Sequence, residues 1–533
     1  MIWVDREVKK IKSLPRANRE EWVDDMKTPS GRIHVGSLRG VVIHDLIYKV
    51  LLENKIKTNF SYVFNDMDPM DAIPAYLDFE KWEKYAGLPL YKVPSPEKGA
   101  TSFAEYYAIE FMEVFNTINC HPKIIWSHDL YESGKMNEAI KTILDNADKI
   151  RAIYKKVAKA DRPENWYPFN PVCEKCGRIG TTNVYKWDGE FVYYKCLPQM
   201  VAWAKGCGHE GKISPFNGNG KLPWKVDWPC HWKIIGITIE GSGKDHMSSG
   251  GSYDMAKTIA EEVLNYKAPY APPYEWFTIK GKKMSSSKGI GNSAKEVSGI
   301  LPPEVFRFLI IRTPINTHLD FDPFGDTILN LFDDYDRCLN AYYLKQEDKI
   351  PPGKPGEVLT DFARIIELSQ VRPLPKKRFF ISRFRSIVNQ LQLKTNVHDF
   401  FAKQRGADLT QQEKDLLEER IKYAKIYLER YFREISKETS ETANSTKFQY
   451  SKNQRIFLNL LSQALKKEKT LTKEQIQTLI FDIIKKNNLK PKEIFQGFYQ
   501  TLIKKDFGPK AADLILETGI NEVIKRIKTK LTE

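Results

Sequence analysis

Hydrophobic positions in the first 155 residues fall into two alternating patterns. Short apolar runs such as Asn59–Phe64 (NFSYVF) and Lys123–Trp126 (KIIW) read as strands, whereas Val42, Leu46, Ile47 and Val50 recur at helical spacing. That alternation predicts an α/β fold with a parallel sheet. From about Asp161 the helical periodicity lapses through RPENWYPFNP, two cysteine groups and a stretch rich in Gly and Trp, which predicts a small inserted domain. The run Ile234–Ile239 (IIGITI), helix-like Tyr253–Leu264 and strand-like Tyr274–Ile279 resume the α/β pattern, so the sheet is expected to continue after the insertion. Beyond Pro302 the spacing is mostly helical. Leu and Ile three and four apart in Ile456–Leu465 and Ile476–Ile484 predict an all-α C-terminal region, with Pro351–Gly356 (PPGKPG) as the linker before it. The expected division is 1–155, an insertion over 156–222, a continuation over 223–345, and a helical region of two subdomains over 346–533.

Composition narrows the class. The chain has 533 residues, 41% hydrophobic and 28% charged, as in folded domains. Its apolar runs are as short as Phe308–Ile311, and its first thirty residues contain no signal-peptide core. A cytoplasmic protein with no membrane span is therefore expected. The net charge of +15 is uneven: Ala341–Glu533 carries 38 basic and 24 acidic residues, and the rest of the chain 45 and 44. A neutral body joined to a basic appendage predicts a polyanion partner, nucleic acid before membrane, against the alternative of a Lys-rich solvated helical surface. The densest stretch, Arg372–Arg385 (RPLPKKRFFISRFR), sets Phe379, Phe380 and Phe384 among six basic residues, a combination suited to phosphate contact and base stacking.

Two segments could hold phosphate. TPSGRIHVGS, Thr28–Ser37, is a Pro-Ser-Gly turn between a strand-like run ending near Val23 and a helix beginning near Gly36. Backbone N–H groups at such a helix start receive anions. KGKKMSSSKGIGNS, Lys280–Ser293, is a basic loop of small residues suited to a triphosphate. The two bracket one α/β unit in the order of the HIGH and KMSKS signatures, and together they resemble those of class I aminoacyl-tRNA synthetases. WKVDWPCHW (Trp224–Trp232), GSGKDH (Gly241–His246) and PPYEW (Pro272–Trp276) sharpen the resemblance to the class I lysyl-tRNA synthetases of archaea and some bacteria. It covers most of Met1–Arg337, and Phe498–Ile515 resembles the family's C-terminal end. GSGKDH is not a Walker loop, because Thr238 and Asp245 stand where Gly and Ser/Thr belong.

The resemblance implies a Rossmann-type catalytic domain interrupted by a zinc-bearing insertion and followed by an all-α anticodon-binding region. It also implies ATP-dependent ligation of L-lysine to tRNA(Lys) through lysyl-adenylate, with Mg2+ accompanying ATP. His34 would stabilise the pentavalent α-phosphate, and Lys283 and Lys288 the leaving pyrophosphate. ATP would contact Pro29, Ser30, Gly31, His34, Gly36, Ser37, Lys283, Met284, Ser285, Ser286, Ser287 and Lys288. Lysine would be lined by Thr28, Trp224, His246 and Tyr274, where aromatic faces attract an ammonium. Asp227 and Trp228 are near enough in sequence to contribute. The chain departs from the pattern at Ser37, in place of the second His, at Ser286, in place of the second Lys, and at Met26, where the family is expected to have Gly. A glutamate or arginine class I synthetase shares the ATP chemistry, and a tRNA-binding paralogue without activity would share the architecture. A monomer is the simpler expectation for the assembly.

Seven cysteines in a chain without secretion signals argue against a disulfide framework. Cys173-x2-Cys176, then Cys196 and Cys207-Gly208-His209, have the spacing of a tetrahedral structural zinc site, with Cys207 or His209 as fourth ligand. Cys120, Cys230 and Cys338 read as small hydrophobes, and Asp66 and Asp68, which could hold magnesium or a ribose, are read by preference as caps of the next turn.

Overall fold

A computed structural model describes the chain except for residues 16–19, 282–284, 287–291, 324–325, 394, 441–447, 468–470, 505, 507, 509 and 533, with the side chains of 431–440 and 532 also left aside. After helix α1 (Trp3–Ser13), strands β1 (Glu21–Lys27), β2 (Thr58–Phe64) and β3 (Lys123–Trp126) form a parallel sheet in the order β1-β2-β3. Crossover helices make this direction possible. Helix α2 (Ser37–Glu53) joins β1 to β2 and buries Val42, Leu46, Ile47 and Val50. On the other side of β1, Ile239 bridges Val23 in parallel and is itself bridged by Tyr270, so the sheet does continue after the insertion.

That continuation differs from the expected one. Ile234 and Ile235 end the helix Trp224–Ile235 at a left-handed Gly236, and only the residues around Ile239 reach the sheet. The helix itself carries Pro229, which removes one backbone donor and masks the helical pattern in the sequence. Tyr274–Ile279 divides into Pro273–Tyr274, paired with Ser242–Gly243, and Phe277–Ile279, paired with Leu319–Phe321.

The insertion holds an antiparallel sheet of Thr182–Trp187, Val192–Cys196 and Glu210–Ile213. Its neck is closed where Asn170–Pro171 pairs with Gly220–Lys221. It is not short of core: Val184, Val192 and Tyr194 join one apolar cluster with Ile140, Ile143 and Ile150 of the preceding helices.

The chain divides into two units, Met1–Pro323 with Arg337–Pro375, and Phe324–Asp336 with Lys376–Glu533. The expected linker is partly helix, since Lys354–Ser369 begins inside it and belongs to the first unit. Among the described residues the second unit is helical. Phe457, Leu461, Leu465, Ile476, Ile480, Phe498, Ile515 and Val523 share its core, while Ile456 faces outward.

Candidate active site

A cavity of about 450 Å³ opens at the C-terminal ends of the parallel strands, the usual ligand position in open α/β sheets. One wall is the Thr28–Ser37 turn between β1 and α2, contributing Thr28, Ser30, His34, Gly36 and Ser37. Ser285 and Ser286 form the opposite side. The two segments are joined by backbone pairing: Val35 N–H donates to Asn292 O at 3.2 Å and Ala294 N–H to Ile33 O at 2.8 Å. His34 N–H donates to Ser286 Oγ at 3.2 Å. Gly31 has φ +150°, and a Cβ there would meet Ser286 O at 2.6 Å, so the close approach requires glycine. Pro29 and Gly31 do not line the cavity. Lys283, Met284, Ser287 and Lys288 lie outside the described residues.

His34 is held uncharged. Burial, aided by the charge of Lys27, lowers its pKa to about 3. It can therefore donate to developing phosphate charge only as a neutral imidazole.

The deeper end is aromatic and acidic. Trp224 stacks on Trp228 at 5.3 Å and lies 5.2 Å from the His246 ring, and all three line the cavity with Tyr274. Glu240, 2% exposed, accepts from the Trp228 indole N–H at 3.0 Å and from that of Trp232 at 2.5 Å. Burial nevertheless pushes its pKa up to about 8. Asp25, 8% exposed, is also raised by burial, against the pull of His44. Behind it, Asp24 is raised by burial and by the charge of Glu240 while its carboxylate accepts from the Ser61 hydroxyl. Gly40 of α2 leaves room for this floor, because a Cβ there would meet Tyr274 Oη at 2.7 Å and Asp25 Oδ2 at 2.9 Å. Desolvated carboxylates beside aromatic faces favour a cationic ligand.

Sequence reasoning did not find Asp25, Glu240 or Lys27, although Asp24-Asp25 and Lys27 directly precede the turn motif. Three further acids were weighed from the sequence, and Asp66 is a cap as expected. Asp227 does not reach the cavity: it is buried with Lys221 Nζ at 2.5 Å and Tyr131 Oη at 2.5 Å. Asp68 does not simply cap a turn; it accepts from Thr28 Oγ1 at 2.6 Å and pairs with Lys221 at 2.9 Å, linking the cavity wall to the neck of the insertion. Asp66 accepts from Ser127 Oγ and His128 N–H, both at 3.0 Å, at the start of the helix Ser127–Glu132.

Cys173, Cys176, Cys196 and Cys207 place their sulfurs within 4.8 Å of one another. Two of the separations are 3.6 and 3.7 Å, close to the ~3.8 Å edge of a tetrahedron with Zn–S of about 2.3 Å. Cys207 N–H points at Cys196 Sγ, 3.3 Å away. His209 stands outside this group, its Nε2 3.9 Å from Glu174 Oε2. Four soft ligands of this kind could hold a metal, and the donor set fits zinc. Cys120, Cys230 and Cys338 are buried.

The basic stretch Arg372–Arg385 is divided. In the first unit Arg372 pairs with Glu304 at 2.7 Å. In the second, Arg383 pairs with Asp333 at 2.8 Å and Arg385 donates to Asn330 at 2.9 Å. Phe384 is 0% exposed and stacked on Phe332 at 3.7 Å, so it is core. Lys376 and Lys377 are exposed.

The sheet order, the site at its C-terminal edge and the helical unit that follows define a class I synthetase fold with a helical anticodon domain. The family described as tRNA synthetases class I (K) matches residues 1–361, and the anticodon binding domain matches residues 387–531. The chain is similar to the lysine–tRNA ligase of Thermoplasma volcanium, 32% identical over 100% of this chain and 99% of that one. It is equally similar to those of Archaeoglobus fulgidus, 32% identical over 95% of each chain, and Methanococcus maripaludis, 32% identical over 100% of each. The chain belongs to the class I (K) tRNA synthetase family.

Proposed function

We propose that this chain ligates L-lysine to tRNA(Lys) at the expense of ATP, through a lysyl-adenylate whose lysyl group passes to the 2'-OH of the terminal adenosine. The observation that carries this reading is the meeting, in one cavity, of the His34 turn and Ser285–Ser286 with a floor of Asp25, Glu240, Trp224, Trp228 and Tyr274. The lysine–tRNA ligase relatives, matched over the full chain, support the choice of amino acid.

Lysine enters with its ammonium toward the carboxylates and the aromatic faces of Trp224 and Tyr274, which leaves its carboxylate toward His34. Thr28, oriented by Asp68, and His246 complete the polar lining. The carboxylate oxygen attacks the α-phosphate, an O–P bond forms, and the bond to the β-phosphate breaks with pyrophosphate leaving. Neutral His34 donates to the oxygens that gain charge. Ser30, Gly36, Ser37, Ser285 and Ser286 border the phosphates, and Lys283 and Lys288 would meet the leaving pyrophosphate. Class I synthetases use ATP with Mg2+, which neutralises triphosphate charge. Zinc would be held by Cys173, Cys176, Cys196 and Cys207, and would there cross-link the insertion. The anticodon domain binds tRNA. Pyrophosphate exchange with each of the twenty amino acids, followed by charging of tRNA(Lys), tests this reading; exchange with arginine or glutamate and not lysine would overturn it.

A further inference from the structure

Lys27 is the last residue of β1. It is held in register opposite Phe64, with its carbonyl accepting from Asn65 N–H at 3.0 Å. The strand therefore delivers its side chain where the phosphate-side turn begins, and it lines the cavity. Its ammonium makes no hydrogen bond or ion pair among the described residues. Its charge is felt on both sides: on the wall it adds to the burial that lowers the His34 pKa, and on the floor it pulls against the burial that raises that of Asp25.

The charge inventory of the cavity makes this position consequential. Among the described lining residues Asp25, Glu240 and Asp245 are acids, Lys27 is the one Lys or Arg, and His34 is held uncharged. Ser286, at the place of the signature's second lysine, brings a hydroxyl that already accepts from His34 N–H. Adenylation drives a carboxylate into an α-phosphate that also carries negative charge, and a cation at the end of β1 would stabilise that phosphate beside the groups assigned to the leaving pyrophosphate.

We propose that Lys27 is a catalytic cation of the adenylation step, its ammonium holding the non-bridging α-phosphate oxygens while the carboxylate attacks. The assignment rests on the lysine-activating reading above and extends it. Lys27 keeps its proton throughout: the new O–P bond takes its electron pair from the carboxylate, and pyrophosphate leaves with the pair of the broken bond. Burial lowers the Lys27 pKa while Asp25 supports the charged form, as expected of an ammonium awaiting an anion.

The test is pyrophosphate exchange at saturating lysine and ATP by the full-length protein, K27M and K27R, beside thermal melts. K27M should lose about 10²- to 10³-fold in kcat, the range for removing one donor to a developing oxyanion. Its KM values for lysine and ATP should stay within about threefold, its melting temperature should stay near that of the unaltered chain, and K27R should recover most of the rate. A kcat within about threefold of the unaltered protein would overturn the assignment. So would a raised lysine KM at full kcat, which would make Lys27 an anchor of the amino acid, or parallel loss of rate and melting temperature in both variants. If the unaltered chain exchanges with another amino acid and not with lysine, the lysine reading fails. The Lys27 assignment is then decided by the same comparison on that amino acid, since the α-phosphate chemistry is common to both.

Discussion

The backbone N–H of His34 donates to Ser286 Oγ at 3.2 Å, across 252 positions of sequence. This contact clasps the two phosphate-side segments, and it uses the hydroxyl of a residue that departs from the signature lysine. Ser286 thereby fixes the turn that presents His34.

If neutral His34 donates to the transition state, His34→Ala should lower kcat for lysine-dependent pyrophosphate exchange by about 10²-fold or more with little change in lysine KM. With its pKa lowered to about 3, the imidazole does not titrate in the working range. The pH–rate profile of the unaltered protein from about pH 5 to 8 should therefore contain no step that His34→Ala removes.

The amino-acid end of the cavity should be separable from the ATP end. Trp224→Ala removes a ring stacked on Trp228 and next to His246, and Tyr274→Phe removes a hydroxyl facing Asp25 and α2. Both should weaken lysine binding more than ATP binding in calorimetry. The reverse order would move the amino-acid site elsewhere.

Glu240 supplies a pH signature. Its folded pKa of about 8 lies above the ordinary 4.5, so the folded chain keeps a proton that the unfolded chain releases. Its contribution to stability is complete below pH 4.5 and is lost as pH rises through about 8. Glu240→Gln should flatten the dependence of stability on pH in that window, measured by denaturant unfolding. It should also weaken lysine binding above about pH 8, where the native carboxylate is ionised, and leave ATP binding unchanged.

For the cysteine cluster, elemental analysis of the purified protein should find about one zinc per chain. The double substitution Cys173→Ser and Cys176→Ser should release it and expose the insertion to proteolysis. Because Val184, Val192 and Tyr194 share a core with the preceding helices, the insertion should loosen around the cysteines without unfolding entirely.

In the second unit, Phe384→Ala should cost roughly 3–5 kcal/mol of stability, the usual range for an aromatic core truncation, and leave discrimination among anticodon-swapped tRNA transcripts unchanged. Lys376→Ala with Lys377→Ala should weaken all tRNAs alike and reduce the slope of log affinity against log salt by about two. Filter binding over a salt series, beside thermal melts, would reveal either failure.

What the sequence determined by itself is what depends on local order. The strand KIIW at Lys123–Trp126, the helix carrying Val42 to Val50, the helical C-terminal region and the cysteine set all follow from periodicity or from ligand spacing within one short segment. The turn motif and the serine-rich loop were recognisable because their chemistry is written in short strings. Only the tertiary structure decided how distant groups meet. Asp25 and Glu240 are more than two hundred residues apart and become one acidic floor because Ile239 lies beside β1. Thr28 is oriented by Asp68, which is held by Lys221 from the neck of the insertion. Phe384 among its basic neighbours reads equally as a stacking residue or as helix core, and the Phe332 ring that covers it decides for core. The physical reason is common to all three: burial and charge pairing depend on what the fold brings against a side chain, and that partner is set by sheet order and helix packing rather than by neighbours along the chain.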